Sequence, residues 1–501
     1  MRIDKMSEVV WFDWNDEVFA RADAEHKPVL LAIRVAWCSS CAEMDRTSYS
    51  EPSIIKLISE RFIPIRVDAD RRPDINERYH LGGWPTTIFL TPNGEILNGG
   101  TFLGVDRLLI LLQQVADTFA LRRSTIDEQA KAAKTLREAD RERKKHLSVE
   151  SPDSSAEGWL RSLIVDEFDV DHGGFGTQPK LPYPDALTLA MEQCQVSGDE
   201  RLQTSVITTL DAMGTGGMYD DVDGGFFRYC RARDWTLPSS EKTLESNAAL
   251  LRVYLKAWET FEYTRYRAKA IDLLRYVHGT FADPMSGGFF ASQRADEHYY
   301  TLESLDERRA VTAPTVDQSL YSDGNASMVI AYAHGSQVLD DNSLLDFAIK
   351  SLERIVLETY ERGGGIGHHA DGMTCVRGLL VDQVDVSSAL LDIYSLTERE
   401  VYFDMAQELM SYSLRTMWDD QVGGFFDRVS TEQADIGLLR EPLKPFSANC
   451  RAASVLSRLA LLTKNSEFLE RARRTLSSQT EVYRAHGLMG ATYGLAARAV
   501  L

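Results

Sequence analysis

Positive charge is in short supply in this chain. Its 55 lysines and arginines face 75 aspartates and glutamates, a net charge of −20 over 501 residues. Binding to nucleic acid requires a basic face against phosphate, so no nucleic-acid partner is expected. Long apolar runs are missing too. No stretch approaches the roughly 20 apolar residues that cross a bilayer as a helix, so no membrane partner is expected. The start of the chain carries Asp4, Glu8, Asp13 and Asp16 around one short apolar run, Val9-Val10-Trp11-Phe12, and does not read as a signal peptide. Cysteine is scarce, with six in the chain, which fits a reducing compartment. A cytoplasmic location is therefore expected. Cys194, Cys230, Cys375 and Cys450 stand far apart in sequence and are expected to be buried free thiols. What is present is a globular composition, 44% hydrophobic and 26% charged, in a chain long enough for two or more domains.

The remaining two cysteines sit in Trp37-Cys38-Ser39-Ser40-Cys41, after an apolar run at 29–35 and at the start of a helical segment. Two cysteines spaced this way can bridge across one helical turn, and the helix N-terminus favours a thiolate at the first. Gly82-Gly83-Trp84-Pro85-Thr86 then leads into a β-type run at 86–90. The order strand, CxxC, helix, strand, Pro-Thr, strand is that of a thioredoxin-like fold, in which a cis proline faces the cysteine pair. Such a domain is expected at residues 8–121. Cys38 would be the nucleophile and Cys41 the resolving thiol, with Trp37 and Pro85 shaping the groove. A disulfide that only braces the domain is the other reading. A zinc site would need two further ligands, and no second CxxC exists, so no metal is expected. No cofactor is expected either.

Residues 122–155 are charged and poor in large apolar groups, and read as an exposed helix followed by a linker. From residue 156 onward a repeat appears. Gly173-Gly174-Phe175-Gly176 recurs as Gly224-Gly225-Phe226-Phe227, Gly287-Gly288-Phe289-Phe290 and Gly423-Gly424-Phe425-Phe426. A weaker copy is Gly364-Gly365-Ile366-Gly367, and a degenerate one begins at His486-Gly487. Helix pairs fill the intervals. Six glycine loops with helix pairs predict an all-α (α/α)6 toroid over 156–501, with an open solenoid as the competing arrangement. In the toroid the sixth pair would join the two ends, residues 156–168 outside and 491–501 inside.

Longer strings carry a family resemblance. They are Lys27-Pro28-Val29-Leu30-Leu31, Val67-Asp68-Ala69-Asp70-Arg71-Arg72-Pro73-Asp74-Ile75, Gly99-Gly100-Thr101-Phe102, and Tyr219-Asp220-Asp221-Val222-Asp223-Gly224-Gly225-Phe226-Phe227-Arg228-Tyr229. Trp235, Pro238, Glu241-Lys242 and Asn247-Ala248 follow. The chain resembles the spermatogenesis-associated protein 20-like family, a thioredoxin-like domain fused to a six-hairpin barrel. The barrel is also similar in fold to N-acylglucosamine 2-epimerases and related sugar-processing enzymes, and fold alone transfers no activity. Two departures stand out. Ser39 and Ser40 fill the gap where the family often has histidine, and Ser239-Ser240 replaces the His-Phe of the family's Pro-His-Phe-Glu-Lys string.

A sugar site needs carboxylates for acid–base work, amides for hydroxyls and an aromatic face. Asp220, Asp223, Arg228, Trp235, Lys242 and Asn247 offer that mixture for binding, with Glu241 as the evident acid–base group. Asp323, Asp382 and Asp385 also lie at predicted inner-helix starts, where aspartate is equally an ordinary cap. Three functions stay open. The chain could be a thiol-disulfide domain joined to a carbohydrate-related barrel, a binding or scaffold protein with a degenerate barrel, or a disulfide reductase whose barrel selects protein partners.

Overall fold

The computed structural model describes residues 8–145, 151–370, 376–431 and 435–501. Cys375 and part of the expected linker lie outside the described residues. Two compact units emerge: Met1–Ser148 with Ser430–Leu443, and Val149–Val429 with Lys444–Leu501.

The first unit is built on a four-stranded sheet. β1 (Val29–Arg34) pairs in parallel with β2 (Ile63–Asp68) and antiparallel with β3 (Thr86–Leu90); β3 pairs antiparallel with β4 (Ile96–Gly100). The order β2-β1-β3-β4 places the chain's most apolar strand inside the sheet. Both faces of β1 are covered, which is why it reads as a continuous apolar run rather than an alternating one. Val29, Leu31 and Ile33 pack on one side with Ile65 and Ile88, and Leu30 packs on the other with Ile58 and Phe89. The helical stretch expected between β1 and β2 is two helices, Ser39–Arg46 and Pro52–Arg61, because proline is tolerated only at a helix start.

The domain limits expected from sequence need revision. The charged helix Arg123–Lys145 belongs to the first unit, where Arg137 Nη2 donates to Glu95 Oε1 at 2.6 Å. Ser430–Leu443, expected within the barrel, also belongs there. Its Ile436 and Leu439 are buried in the core that contains Val29 and Ile65. Tyr79 fastens it, its hydroxyl accepting from Leu438 N at 2.9 Å and donating to Gly94 O at 2.8 Å. Arg78 adds bonds to the carbonyls of Leu438 and Glu441. Two ordinary apolar residues in a loop carry no sequence signal for so distant a docking.

The second unit is the toroid. Six inner helices touch in succession and close on themselves: Pro184–Ser197, Leu244–Phe261, Ser322–Leu339, Leu380–Thr397, Phe446–Thr463 and Ala491–Val500, the last meeting the first. Burial separates the layers. Ser322–Leu339 is buried nearly all round, at Asn325, Ala326, Met328, Val329, Ala331, Tyr332 and Ala333 among others. Glu200–Thr215 buries one stripe, Leu202, Val206, Leu210 and Met213, as an outer helix should. Ala156–Asp166 lies against both Ala491–Val500 and Glu200–Thr215, so the two ends of the barrel sequence form the sixth pair. Closure is tight at Gly494, where an added Cβ would stand 2.6 Å from a Leu160 methyl and 2.8 Å from one of Leu189.

Candidate functional sites

In the first unit, the helix carrying the cysteines starts at Ser39, with Cys38 as its N-cap. The Cys38 sulfur accepts the backbone N–H of Cys41 at 3.1 Å. A donor at a helix N-terminus favours a thiolate on that sulfur. Cys41 lies one turn deeper. Its hydrogen bond to Cys38 and its burial both push its thiol well above the ordinary range. Both cysteines are buried. Trp84-Pro85 is a cis peptide, and Cys38 Sγ stands 3.7 Å from Trp84 O. The Trp37 and Trp84 rings meet edge-on at 5.4 Å, while Trp37 Nε1 donates to Asp70 Oδ2 at 3.0 Å. Trp37 and Pro85 therefore flank the cysteines.

The proton route is the unusual part. Ala32, six residues before Cys38 and buried in β1, offers no carboxylate. Glu43, the first carboxylate of this helix, is exposed and two residues along from Cys41, a spacing at which side chains do not meet. The Cys38 sulfur raises the Cys41 thiol further, and the Arg34 guanidinium acts weakly in the opposite sense.

In the barrel, five of the residues expected to bind ligand are instead part of the loop framework. Each strong Gly-Gly-Phe loop follows an aspartate whose backbone closes the turn, as when Gly224 N donates to Asp220 O at 2.8 Å. A cation then ties that aspartate to a glycine carbonyl. Lys242 Nζ reaches Asp220 Oδ2 at 2.6 Å and Gly224 O at 2.7 Å. Lys180 does the same for Asp169 and Gly173, and Lys444 for Asp419 and Gly423. Lys242 is fully buried between the rings of Phe227, Tyr276 and Tyr300, out of reach of a ligand in solvent. Asp220 is further held by Arg308 at 2.7 Å. These cations keep the Asp220 carboxyl below its ordinary range despite its burial.

Asn247 is likewise occupied. It is fully buried, accepts from Phe226 N and donates to the carbonyls of Phe226 and Thr243. Asn325 and Asn449 repeat the arrangement at Phe289 and Phe425, and Gln383 at Ile366. Trp235, 1% exposed, donates from its indole to His172 O at 3.0 Å and packs over Gly174. Asp223 accepts from Arg308 at 2.7 Å and from Tyr299 at 2.9 Å. Composition alone cannot distinguish such a framework from a sugar site, because both draw on carboxylates, amides and rings.

The remaining two, Arg228 and Glu241, are paired at 2.9 Å and front onto a different group of charges. That group comes from the N-terminal turns of inner helices. Glu245 is reached by solvent, yet burial raises its pKa, as for a carboxylate at the bottom of a cleft. Asp323 and Asp385 raise it further, while Arg451 and Arg228 act in the opposite sense. Arg451 forks onto Asp385 at 2.7 and 3.1 Å. Beside them His368 Nδ1 lies 2.9 Å from Asp382 Oδ1, and burial pushes the Asp382 carboxyl up to about 6. Four neighbouring inner helices thus contribute Glu245, Asp323, Asp382, Asp385 and Arg451 to one charged mouth. A groove of about 660 Å³ lies elsewhere in this unit, along the outer helix Ser466–Ser477, and no residue of the mouth lines it. Glu245, Arg451 and His368 were missed in the sequence. Their signal is position: Glu245 is the second residue of its helix and Arg451 the sixth, but that becomes informative only once the ring is closed.

The comparisons follow this division. The family model "Thioredox_DsbH: Protein of unknown function, DUF255" matches residues 1–137. Spermatogenesis-associated protein 20 of Homo sapiens is 24% identical over 606 aligned positions, covering 94% of this chain and 76% of that protein. This chain resembles spermatogenesis-associated protein 20 along nearly its whole length. The resemblance read from the strings at 27–31, 67–75, 99–102 and 219–229 is thereby borne out. D-mannose isomerase is similar in structure, with a TM-score of 0.53 and 11% identity, covering 65% of this chain and 85% of that one. Cellobiose 2-epimerase from Bacillus thermoamylovorans B4167 has a TM-score of 0.52 and 10% identity, covering 64% and 86%. At such identities the likeness shows the fold of the barrel and nothing of its chemistry.

Proposed function

We propose that this is a cytoplasmic thiol-disulfide exchange protein whose barrel binds a neutral, hydroxylated, sugar-like ligand. The observation that carries the first half is the Cys38 sulfur, held at a helix N-terminus by the Cys41 N–H. Its thiolate attacks a disulfide in a partner protein, forming a mixed disulfide and expelling one partner thiolate. Cys41, after losing its proton, attacks Cys38, closing the Cys38–Cys41 disulfide and releasing the second partner thiol. Two electrons pass to the partner, and a cellular dithiol must return them. The high pKa of Cys41 and the absence of a carboxylate at Ala32 make the second attack the slow one.

The charged mouth supports the ligand reading. Glu245, Asp385, Arg451, Arg228 and Glu241 offer both acceptors and donors, as hydroxyl groups require. Carboxylates outnumber guanidiniums there, which disfavours phosphorylated sugars. Binding rather than turnover is favoured at Glu241 itself, since its Oε1 is already paired with Arg228.

The test is thermal stabilisation, because a ligand that binds only the folded state raises its midpoint by mass action. Neutral mono- and disaccharides should raise the midpoint and their phosphates should not. Glu245→Gln and Arg451→Met should abolish the rise. A set of neutral sugars with no effect on the native chain would sink the ligand half, and an insulin-reduction assay decides the thiol half separately.

A further inference from the structure

Asp382 is fully buried at the mouth of the barrel, and its two oxygens differ. Oδ1 lies 2.9 Å from His368 Nδ1. Oδ2 is enclosed and, among the described residues, has no hydrogen-bond partner. A buried, unpaired carboxylate oxygen is costly unless something positive meets it. Asp323, from the neighbouring inner helix, is partly open to solvent, and ligand atoms of Asp323, His368 and Asp382 all lie within 4.8 Å of one another.

The geometry points to a divalent transition-metal site formed by Asp323, His368 and Asp382. Metal–ligand bonds of about 2.1 Å at right angles place adjacent donor atoms about 3 Å apart, the separation found between His368 Nδ1 and Asp382 Oδ1. A metal chelated by both Asp382 oxygens would displace the proton that now joins Nδ1 and Oδ1 and meet the unpartnered Oδ2 as well. One imidazole and two carboxylates are a borderline-to-hard donor set, suited to Mn2+ or Zn2+ rather than to thiophilic ions. The frame is fixed on both sides. Ser322 N donates to His368 O at 2.9 Å, Ser322 Oγ donates to Gly367 O at 2.6 Å, and His368 N donates to Val376 O at 2.8 Å. The Tyr321 ring covers the imidazole at 5.3 Å. Neighbouring Glu245 and Asp385 add negative field, which Arg451 offsets only in part. The open side at Asp323 leaves coordination positions for water or for ligand hydroxyls. The site does not depend on the sugar reading, since a cation can bind where no sugar does.

The test uses the full chain with Cys38 and Cys41 replaced by serine, so that thiolates do not compete for metal. Chelator-treated protein is titrated with Mn2+ and free Mn2+ is followed by its EPR signal. The expected result is uptake of one equivalent. Asp382→Asn and His368→Gln should each weaken it by about tenfold or more. Asp323→Asn, at a partly exposed position with little bearing on folding, should weaken it comparably. Asp346→Asn, an exposed carboxylate of an outer helix, should leave it unchanged. No saturable uptake, or uptake that Asp323→Asn and His368→Gln leave intact, would overturn the site.

Discussion

Asn247 holds Phe226 by both of its backbone groups, accepting its N–H at 2.8 Å and donating to its carbonyl at 3.0 Å. Each Gly-Gly-Phe turn clamped in this way from the following inner helix is fixed to the ring without reliance on the loop's own sequence. Gly225 makes the close approach possible: it has φ +83°, and an added Cβ would stand 2.3 Å from the Tyr276 ring. Asn247→Ala should strand two buried backbone groups and cost about 1–3 kcal/mol in urea unfolding. Asn325→Ala and Asn449→Ala should cost similar amounts. A ligand-binding asparagine would behave differently, losing affinity while leaving the unfolding midpoint alone, and that outcome would return Asn247 to the site.

Repetition is what made the fold legible. The Gly-Gly-Phe spacing and the paired helices led to six hairpins, and the count of six placed the two ends of the barrel sequence together in the ring. The same repetition hid the site. Asp220, Lys242 and Asn247 attract notice because they surround the longest string, yet Asp169 with Lys180 and Asp419 with Lys444 repeat the Asp–Lys pairing at other loops. A feature present at several of six positions around a ring is architecture. Glu245, Arg451 and His368 differ from hairpin to hairpin and meet only across the mouth, so no local window of sequence joins them. The docking of Ile436 and Leu439 was hidden for the same reason, being separated from their partners by more than 300 residues of chain.

The two cysteines should separate cleanly by mutation. Cys38→Ser removes the attacking sulfur and should abolish insulin reduction. Cys41→Ser leaves the first attack intact and should accumulate a mixed disulfide with the substrate, visible on a non-reducing gel. Equal residual reduction by both variants would refute the assignment. The attack by Cys41 is the step that lacks a base at Ala32, so Ala32→Asp should speed release of the mixed disulfide at neutral pH, as read by single-turnover kinetics.

Acid should loosen the barrel at one seam. The Ser155 hydroxyl, then Tyr483 and Arg484, hold the Asp153 carboxyl at about 2, below its ordinary 3.8. The folded pKa is depressed, so the unfolded chain binds the proton more readily. The stabilisation is complete above about pH 4 and is lost as pH falls from there towards about 2. Asp153→Asn should lower the midpoint at pH 7 and flatten this part of the acid limb. Chemical denaturation from pH 7 to pH 2 of both chains checks it, and parallel curves with a constant offset would refute the linkage.

The last helix is where closure can be tested most directly. Ala491–Val500 buries Ala491, Tyr493, Ala496, Ala497 and Val500 against helices from both ends of the barrel sequence. Tyr493 stacks on Tyr483 at 4.6 Å, and its hydroxyl accepts from Asp153 N at 2.9 Å. Removing residues 491–501 would uncover the inner faces of Pro184–Ser197 and Phe446–Thr463 and open the ring, so the whole unit should unfold at a lower midpoint rather than fray at one end. A gentler variant makes the same point. Gly494→Val forces a side chain into the 2.6 and 2.8 Å gaps beside Leu160 and Leu189 and should cost about 1–3 kcal/mol through overpacking. Gly158→Ala, in an open position on the facing outer helix, should cost nothing and serves as the control. A truncated chain with an unchanged unfolding midpoint, or Gly494→Val as stable as Gly158→Ala, would mean that the end of the chain does not close the ring.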